Sequence, residues 1–451
     1  MLYYLLKPIV LIALKLYFRR RVVKGAEHEP KAGPYIIVAN HPGTLMDPLI
    51  VGAALKAKLN FLSKATVFNN PVNRWLFKHM GMIPVYRAAD DPTQIHKNKD
   101  TFIKCYEHLE KKGILLIFPE GVSFAARKLQ KIKSGTARIA LATEERNGFS
   151  LGLKILCVGI NYSASHKFQS DVFTYIDKPI NVSDYRAAYE KDIVAGTHAL
   201  TEEIKSKLEK LTIAMEDEED DALVQKIEQL YKSDVLKELG VTSADKEQDF
   251  YVTRKIAEAV NYFREKDPSR VEQLSGNIER YFDMLEKLRL NHYVVRGFQK
   301  KRPMWFRWTL NTLYFIFGFP LFLMGMINNY LPFKLPGWIT ESFTKELSWL
   351  GGVSLAIGIL TTMLFYTGQT ILVQYLFHDP LITIAYLALL PLSGLFAFYY
   401  WRKFTNLRGR WHVMAIFSRK ANLITDVYRL RDQVMNDIRL ARKEFEAALL
   451  V

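Results

Sequence analysis

The feature that most constrains this chain is a succession of short, continuous apolar runs between residues 33 and 180, separated by helical patterns. Continuous runs, unlike strict alternation, are typical of strands that are covered on both faces of a sheet. The sequence therefore predicts an α/β layer architecture with a mixed, mostly parallel sheet flanked by helices. We expect helices near 45–57, 71–80, 93–112 and 134–146, and strands at 35–39, 59–63, 82–86, 114–118, 154–161 and 171–177.

The regions around this α/β domain, which we place at 33–183, have a different character. Residues 1–32 begin with an apolar helix interrupted by Lys7, Pro8 and Lys15. Such a helix is short for a membrane span and predicts an interfacial anchor; an ordinary helix packed on the next domain is the alternative. Further along, we expect a charged helical segment at 184–299, a membrane region at 300–404 and a cytosolic C-terminal helix at 405–451.

Three apolar stretches make up the predicted membrane region: 309–331, 347–377 and 380–400. The last two are long enough to span a bilayer. The segments on either side of the region, RGFQKKRPMWFR and RKFTNLRGR, are strongly basic, so both are expected on the cytosolic side. Two spans, with 309–331 as a re-entrant or interfacial element broken at Pro320, satisfy this constraint.

The net charge of +16 over 451 residues requires an explanation. Much of the Lys and Arg content brackets apolar segments, as in RRR at 19–21 and KKR at 300–302. This position favours a membrane surface over nucleic acid as the partner. The two cysteines, Cys105 and Cys157, lie far apart, and no Cys or His pair has the spacing of metal ligands. The sequence predicts reduced thiols and no metal site.

The segment IIVANHPGTLMDPLIVG (36–52) combines an apolar strand, a turn and the start of a helix. His41 follows the strand, and Asp47 falls about one turn into the helix. A carboxylate in that position can bind one imidazole nitrogen and leave the other to accept a proton from a hydroxyl. An isolated pair of this kind also serves capping and packing, and that interpretation stays open at this point.

Three further blocks place polar residues at the ends of predicted strands. GMIPVYR ends in Arg87, whose forked guanidinium suits a phosphate group. FPEG (118–121) predicts a tight turn whose backbone amides could face an anion or a developing oxyanion. Lys128 and Lys133 follow this turn, and the fourth block, CVGINYSASHKF (157–168), is another strand that leads to polar residues.

In this order, the four blocks resemble the glycerol-phosphate and lysophosphatidate acyltransferase family. The likeness is greatest to its glycerol-3-phosphate/dihydroxyacetone-phosphate subgroup and covers roughly residues 33–180. The chain departs from the family's usual pattern in two places. Five residues instead of four separate His41 from Asp47, as in that subgroup, and Val122-Ser123 follows FPEG where the family usually has Thr-Arg or Ser-Arg. The phosphate-binding arginine of that position is therefore missing.

The resemblance implies an O-acyltransferase of phospholipid biosynthesis. It would move a fatty acyl group from acyl-CoA or acyl-carrier protein to a hydroxyl of glycerol 3-phosphate or dihydroxyacetone phosphate, without a metal or redox cofactor. His41 would be the general base, and Asp47 would hold its ring. The implied substrate-binding residues are Arg87, Glu120 and Gly121, whose N–H would face the oxyanion, with Arg127, Lys128 or Lys133 in place of the missing arginine.

Two alternatives remain open on the sequence. The first keeps the fold and changes the acceptor to lysophosphatidate, acylated at sn-2, or to another lysophospholipid. The second is a catalytically dead membrane scaffold protein. Because the acyl product is a lipid, we expect membrane lipid as a partner, a membrane location and a catalytic domain that faces the cytoplasm.

Overall fold

The structure is a computed structural model that describes residues 2–87, 90–213, 215, 218–240, 246–290, 292, 295–296, 304–419 and 421–449. The chain divides into two units, each built from two segments: Met1–Glu218 with Thr340–Ala356, and Glu219–Ile339 with Ile357–Val451. We refer to them as the sheet unit and the helical unit.

The described part of the sheet unit contains an eight-stranded mixed sheet. Along the sheet the strands follow the order β1-β7-β6-β2-β5-β3-β4, and β8 pairs with β6. In chain order they are β1 (Phe18–Lys24), β2 (Tyr35–Ala39), β3 (Asn60–Lys64), β4 (Met82–Val85), β5 (Ile114–Ile117), β6 (Lys154–Tyr162), β7 (Ser170–Ile176) and β8 (Ile180–Asn181).

Strand β2 lies inside the sheet and pairs in parallel with β5 on one side and β6 on the other. The β1–β7, β3–β4 and β3–β5 pairs are also parallel, whereas β6 pairs antiparallel with β7 and β8. The predicted mixed, mostly parallel sheet is therefore confirmed. Because the carboxyl ends of parallel strands share one edge, the residues that follow β2, β4, β5 and β6 come close together.

Helices cover the sheet, and alternate residues of β2 show how. Ile36 and Val38 face a core that includes Cys105 of one helix and Ile139 of another, while Ile37 between them is also fully buried. This two-sided burial explains the continuous apolar runs. The helices of this unit are α1 (Leu2–Tyr17), α2 (Met46–Ala54), α3 (Pro71–His79), α4 (Asn98–Glu110), α5 (Gly135–Arg146), α6 (Arg186–Lys191) and α7 (Ile193–Leu211).

The six predicted strands are all present, and their ends differ from the prediction by at most one residue. The sequence analysis missed β1, because FRRRVVK was interpreted as the basic flank of an anchor helix. Arg19 forms a two-pronged ion pair with the buried carboxylate of Asp171 on β7, at 2.6 and 3.0 Å. This paired charge allows an arginine run to lie on an edge strand.

The N-terminal helix α1 packs on the sheet unit at one face and exposes apolar side chains at another. Lys7 Nζ donates to Leu55 O over 3.2 Å, and Leu14 is fully buried. Tyr4 and Leu5, in contrast, are each 67% exposed. An exposed apolar face suits an interfacial anchor, and that role stays a prediction.

The helical unit contains most of the remaining described residues. Helices α6 to α11 lie within 184–299, and the existence of a separate charged helical segment there stays a prediction. The further helices are α8 (Glu218–Ile227), a π-helical turn at Glu228–Lys232, α9 (Ser233–Glu238), α10 (Lys246–Lys266), α11 (Pro268–Lys287), α12 (Met304–Phe343), α13 (Leu347–Phe377), α14 (Pro380–Arg419) and α15 (Ala421–Ala448).

Three helices in the described residues are long and apolar enough to cross a membrane: Leu310–Phe343, Leu347–Phe377 and Pro380–Thr405. Their length and composition indicate membrane association. The predicted break at Pro320 is absent, since α12 continues through Pro320, Pro332 and Pro336. Two crossings, rather than three, stays a prediction.

Neighbouring side chains explain why α12 continues past two of its prolines. Pro332 has no N–H for the carbonyl of Asn328, which instead accepts from Gln369 Nε2 at 3.0 Å. Pro336 likewise has no N–H for the carbonyl of Pro332. That carbonyl instead accepts from Thr361 Oγ1 at 3.3 Å. Polar side chains of α13 therefore satisfy the two freed backbone groups, and the helix is not interrupted.

Candidate active site

The candidate site lies where β2, β4, β5 and β6 end. β2 ends at Ala39 and is followed by Asn40 and His41. The side chain of Asn40 fixes this exit, because its amide donates to Ile160 O at 2.9 Å and its oxygen accepts from Ile160 N at 2.7 Å. His41 then stacks on Phe118, which follows β5, with ring centroids 4.0 Å apart.

His41 and Asp47 are in contact, as the sequence predicts. His41 Nδ1 lies 2.7 Å from Asp47 Oδ2. The Asp47 side chain is fully buried, whereas that of His41 is 17% exposed. The carboxylate therefore accepts from Nδ1–H and fixes the tautomer in which Nε2 carries the lone pair. Among the described residues, Nε2 has no hydrogen-bond partner, so it is available to a substrate proton.

Asp47 is held by two donors besides His41. Gly43 N donates to Oδ2 over 2.7 Å, and Tyr162 Oη donates to Oδ1 over 2.7 Å. Gly43 has no room for a side chain, since a Cβ there would lie 2.8 Å from Asp47 Oδ1. Burial, reinforced by the Asp47 charge, raises the pKa of Tyr162 well above its usual value, so the phenol stays a proton donor.

Glu120 connects the histidine block to the FPEG block. Its Oε1 accepts from the backbone N–H of His41 at 2.7 Å, and its Oε2 accepts from Gln130 N at 2.8 Å. Burial raises the pKa of this carboxyl, and the two amide hydrogen bonds oppose that rise. The geometry gives Glu120 a direct part in placing the His41 backbone; its predicted part in acceptor binding stays a prediction.

Gly121 adopts a left-handed conformation, with φ of 69°, as glycine does in tight turns. Its N–H donates to Phe118 O at 3.1 Å within the turn. The expectation that this N–H faces an oxyanion is therefore corrected, because its hydrogen is already used by the turn.

Two cations converge on Gly121. Arg87 NH1 donates to Gly121 O at 2.7 Å, and the same guanidinium pairs with Asp90 at 2.7 and 2.9 Å. On the other side, a Cβ built on Gly121 would lie 2.5 Å from Lys133 Nζ. The structure thus brings together Arg87 and Lys133, two of the residues predicted to bind substrate.

Lys128 is exposed and lies two residues before Gln130, whose side-chain amide donates to Lys128 O at 3.5 Å. Among the described residues, Lys133 is the lysine that approaches Gly121 most directly, since the three heavy atoms nearest to a Cβ built there all belong to it. For the place of the missing arginine, the geometry favours Lys133 over Lys128.

The two departures from the family pattern meet in the structure. Thr44, in the lengthened loop between His41 and Asp47, has a φ of 41°, which is unusual for a β-branched residue. Its N–H and hydroxyl lie 2.9 and 2.8 Å from Ser123 Oγ and donate to it. Ser123 therefore holds the lengthened loop from the FPEG side.

Tyr162 and Ser123 are the site residues whose roles the sequence analysis missed. Both lie inside blocks that it singled out, but neither role follows from local spacing, since Tyr162 is 115 positions from Asp47. The signal in the sequence was the position of Tyr162 at the end of β6, the strand that pairs with β2. In the described part of the chain, no group of three or more His, Cys, Asp or Glu side chains is placed to share a metal ion.

Comparison with known proteins matches the part of the chain that contains this site. Residues 20–161 match the Acyltransferase family model. The chain carries an acyltransferase domain. The match begins inside β1 and ends within β6, so it includes His41, Asp47 and the FPEG turn.

Three relatives in curated collections are also acyltransferases by name. An uncharacterised acyltransferase of Schizosaccharomyces pombe is 23% identical over 66% of this chain and 55% of its own length. Glycerol-3-phosphate O-acyltransferase 1 of Saccharomyces cerevisiae is 26% identical over 43% of this chain and 25% of its own. A chloroplastic 1-acyl-sn-glycerol-3-phosphate acyltransferase of Arabidopsis thaliana is 29% identical over 27% of this chain and 32% of its own length. The chain thus spans between a quarter and about half of their lengths.

Proposed function

We propose that this protein is an O-acyltransferase that moves a fatty acyl group from a thioester to a hydroxyl of glycerol 3-phosphate or dihydroxyacetone phosphate. The donor would be acyl-CoA or acyl-carrier protein. The observation that carries the proposal is the 2.7 Å contact of His41 Nδ1 with the buried Asp47 carboxylate, inside the segment that matches the acyltransferase model. The name of the yeast relative supports the choice of acceptor.

His41 Nε2 would take the proton of the acceptor hydroxyl as that oxygen attacks the thioester carbonyl carbon. The tetrahedral intermediate then collapses, the carbon–sulfur bond breaks, and the imidazolium returns its proton to the leaving thiolate. The products are an ester and a free thiol. Asp47 stabilises the imidazolium through its 2.7 Å contact with Nδ1 and does not itself need to be protonated.

Arg87 and Lys133 would bind the phosphate of the acceptor, because both reach the Gly121 turn. A guanidinium and an ammonium together suit a phosphate dianion. The reaction as proposed uses no metal or redox cofactor, since acyl transfer from a thioester to a hydroxyl changes no oxidation state and His41 carries the proton. The sheet unit, which carries the site, would face the cytoplasm, because the basic segments that flank apolar membrane helices are retained on that side.

Acyl transfer by membranes that contain the protein tests the proposal. The donor is a long-chain acyl-CoA, and the acceptors are glycerol 3-phosphate, dihydroxyacetone phosphate and lysophosphatidate in parallel. His41→Ala is compared with His198→Ala, a control whose side chain is 74% exposed on α7. We expect transfer to the first two acceptors, lost by about 10²–10⁴-fold in His41→Ala and kept in the control.

Acylation of lysophosphatidate alone would keep the chemistry and replace the acceptor, in line with the name of the Arabidopsis relative. Absence of any His41-dependent transfer, to these acceptors or to other lysophospholipids, would contradict the proposal and favour a scaffold protein with an inactive domain.

A further inference from the structure

The second apolar helix, α13, begins inside the sheet unit. Residues Thr340–Ala356 belong to that unit, although they lie about 180 residues beyond the acyltransferase match. Four residues in the first turns of the helix are buried: Ser348, Gly351, Gly352 and Leu355. A helix that is long and apolar enough to cross a membrane thus contributes its first turns to the sheet unit.

Two adjacent glycines allow this close packing. A Cβ on Gly351 would lie 2.2 Å from the backbone oxygen of Ser165, and a Cβ on Gly352 would lie 2.7 Å from Leu45 Cβ and 2.8 Å from Met46 N. Side chains are excluded at these separations. Small residues of this kind let helix backbones approach their neighbours, as at interfaces of membrane helices.

The residues that contact these glycines belong to the site itself. Leu45 ends the lengthened loop after the histidine, and Met46, whose N–H donates to Gly43 O at 2.8 Å, begins α2 just before the aspartate. Ser165 follows β6 by three positions, shortly after Tyr162, the second side-chain donor to Asp47. The glycine pair therefore touches the loop that carries the catalytic pair and the end of the strand that carries its support.

Other contacts fix the start of α13 to the sheet unit. Tyr17 Oη donates to Ser165 O at 3.1 Å and would lie 3.2 Å from a Cβ on Gly351. Lys64 Nζ lies 5.2 Å from the ring centroid of Trp349. The hydrogen bonds from Thr44 to Ser123 hold the same loop one residue before Leu45. The lengthened loop is thus supported by the FPEG block as well as by the start of α13.

We propose that Gly351 and Gly352 are positioning residues for the His41–Asp47 pair, so that the acyltransferase domain is complete only with the first turns of α13. The inference rests on the proposed function and deepens it. The helix places Leu45 and Met46, these residues set the start of α2, and α2 presents Asp47 to His41. Catalytic pairs require such support, because small displacements reduce the rate strongly.

The test compares alanine substitutions along one helix. Gly352→Ala forces the helix away from the Met46 backbone, whereas Gly368→Ala on the same helix meets no heavy atom within 4 Å. We expect Gly352→Ala to lower kcat about 10- to 100-fold, with the KM for the acceptor changed less than about threefold. Gly368→Ala should match the wild type in both. Equal activity of the two variants would overturn the proposal.

A cross-linking measurement keeps the test independent of activity and of the folding of the alanine variant. Lys64→Cys/Trp349→Cys, which inserts no side chain at the glycines, should be joined within one molecule by a short bis-maleimide, detected by mass spectrometry of peptides, because Lys64 Nζ lies 5.2 Å from the Trp349 ring centroid. Lys154→Cys/Trp349→Cys is the control pair and should not be joined, since the exposed Lys154 begins β6 at the edge of the sheet opposite the end of β3. The native Cys105 and Cys157 are both buried and free.

The two failures are distinguishable. A wild-type protein without His41-dependent acyl transfer contradicts the proposed function. Normal His41-dependent transfer with an unaffected Gly352→Ala, or with no Lys64–Trp349 cross-link, contradicts only the positioning role.

Discussion

The sheet unit and the helical unit each place a histidine beside a polar partner, and the two surroundings differ. His41 is 17% exposed, and its Nδ1 contacts a buried carboxylate at 2.7 Å. His292 is 3% exposed, and its Nδ1 lies 3.0 Å from Tyr281 Oη. Burial, with smaller contributions from the charges of Arg431 and Arg296, lowers the pKa of His292 to about 4.

The comparison separates a catalytic arrangement from a structural one. A general base needs an accessible nitrogen and a partner that stabilises its protonated form. His41 has both, whereas burial and the charges of Arg431 and Arg296 outweigh the charge of Asp234 and disfavour the imidazolium of His292. Four predictions follow from this contrast and from the contacts that hold His41.

Cavity volume alone would have placed the functional site in the helical unit. An apolar cavity of about 620 Å³ lies in the helical unit, between α8 to α11 and α15. One charged residue of its lining, Arg442, is already paired with Glu238 and Glu446 at 2.9 and 2.7 Å. The arrangement of polar groups, rather than cavity volume, therefore identifies the site.

Asp47→Asn should produce the largest effect among the residues around His41. The amide cannot stabilise an imidazolium and favours the wrong tautomer, so we expect kcat to fall about 10³- to 10⁴-fold. The measurement is the steady-state rate with the best acceptor. A loss smaller than about tenfold would remove Asp47 from the mechanism.

Glu120→Gln is the second prediction, and Glu144→Gln is its matched control. Glu144 is also a buried glutamate that accepts two backbone amides, from Leu153 at 2.5 Å and Leu151 at 3.2 Å. Each variant leaves one amide without its acceptor and should lower the free energy of unfolding by about 1–3 kcal/mol. Only Glu120→Gln should also lower kcat, by about 10- to 100-fold, because one of its amides belongs to His41. Equal kcat in both variants would contradict the coupling.

Tyr162→Phe should have a smaller effect on the rate. It removes one of three donors to Asp47 and leaves the His41 and Gly43 contacts in place. We expect kcat to fall about tenfold, since a hydrogen bond to a charged group is typically worth about 1.5–3 kcal/mol. Tyr185→Phe, at a partly buried tyrosine outside the site, is the control and should change kcat less than about twofold.

His292→Gln tests the other side of the comparison and should leave the rate unchanged. In the wild type, the unfolded chain takes up a proton near pH 6.5 but folded His292 does so only near 4. The unfolding free energy of the helical unit should therefore fall by roughly 3 kcal/mol at most as the pH drops through this window. Glutamine can bind Tyr281 but does not titrate, so the unfolding free energy of the variant should lack this pH-dependent loss. An unchanged pH dependence in the variant would contradict the assignment of the loss to His292.

The sequence predicted the sheet accurately where one physical cause decided the structure. The apolar runs of β2 and β6 are buried on both faces, and their bounds were predicted within one residue. β1 was missed because its three arginines indicate a surface flank until Asp171, about 150 positions away, is seen to pair with Arg19. The continuation of α12 past Pro332 and Pro336 could not be predicted, because the side chains that satisfy the freed carbonyls lie on α13.

The same distinction applies to the site. His41 and Asp47 are six positions apart on a strand, turn and helix, so their contact follows from local geometry. The role of Glu120 as an acceptor for the His41 amide depends on how two blocks meet. Gly351 and Gly352 lie inside an apolar run, where nothing local distinguishes them from membrane residues. Long-range packing decides what such residues do.

The most direct test of the central claim compares the two histidines in purified protein at pH 7, with kcat and the unfolding temperature measured on the same samples. His41→Ala should lose about 10²–10⁴-fold in kcat while still folding, because Gly43 and Tyr162 continue to donate to the buried Asp47. His292→Ala should unfold at a lower temperature, because it removes a buried partner of Tyr281, and should keep the kcat of its folded fraction. Substantial activity in His41→Ala, or an equal loss of kcat in both variants, would contradict the assignment of His41 as the catalytic base.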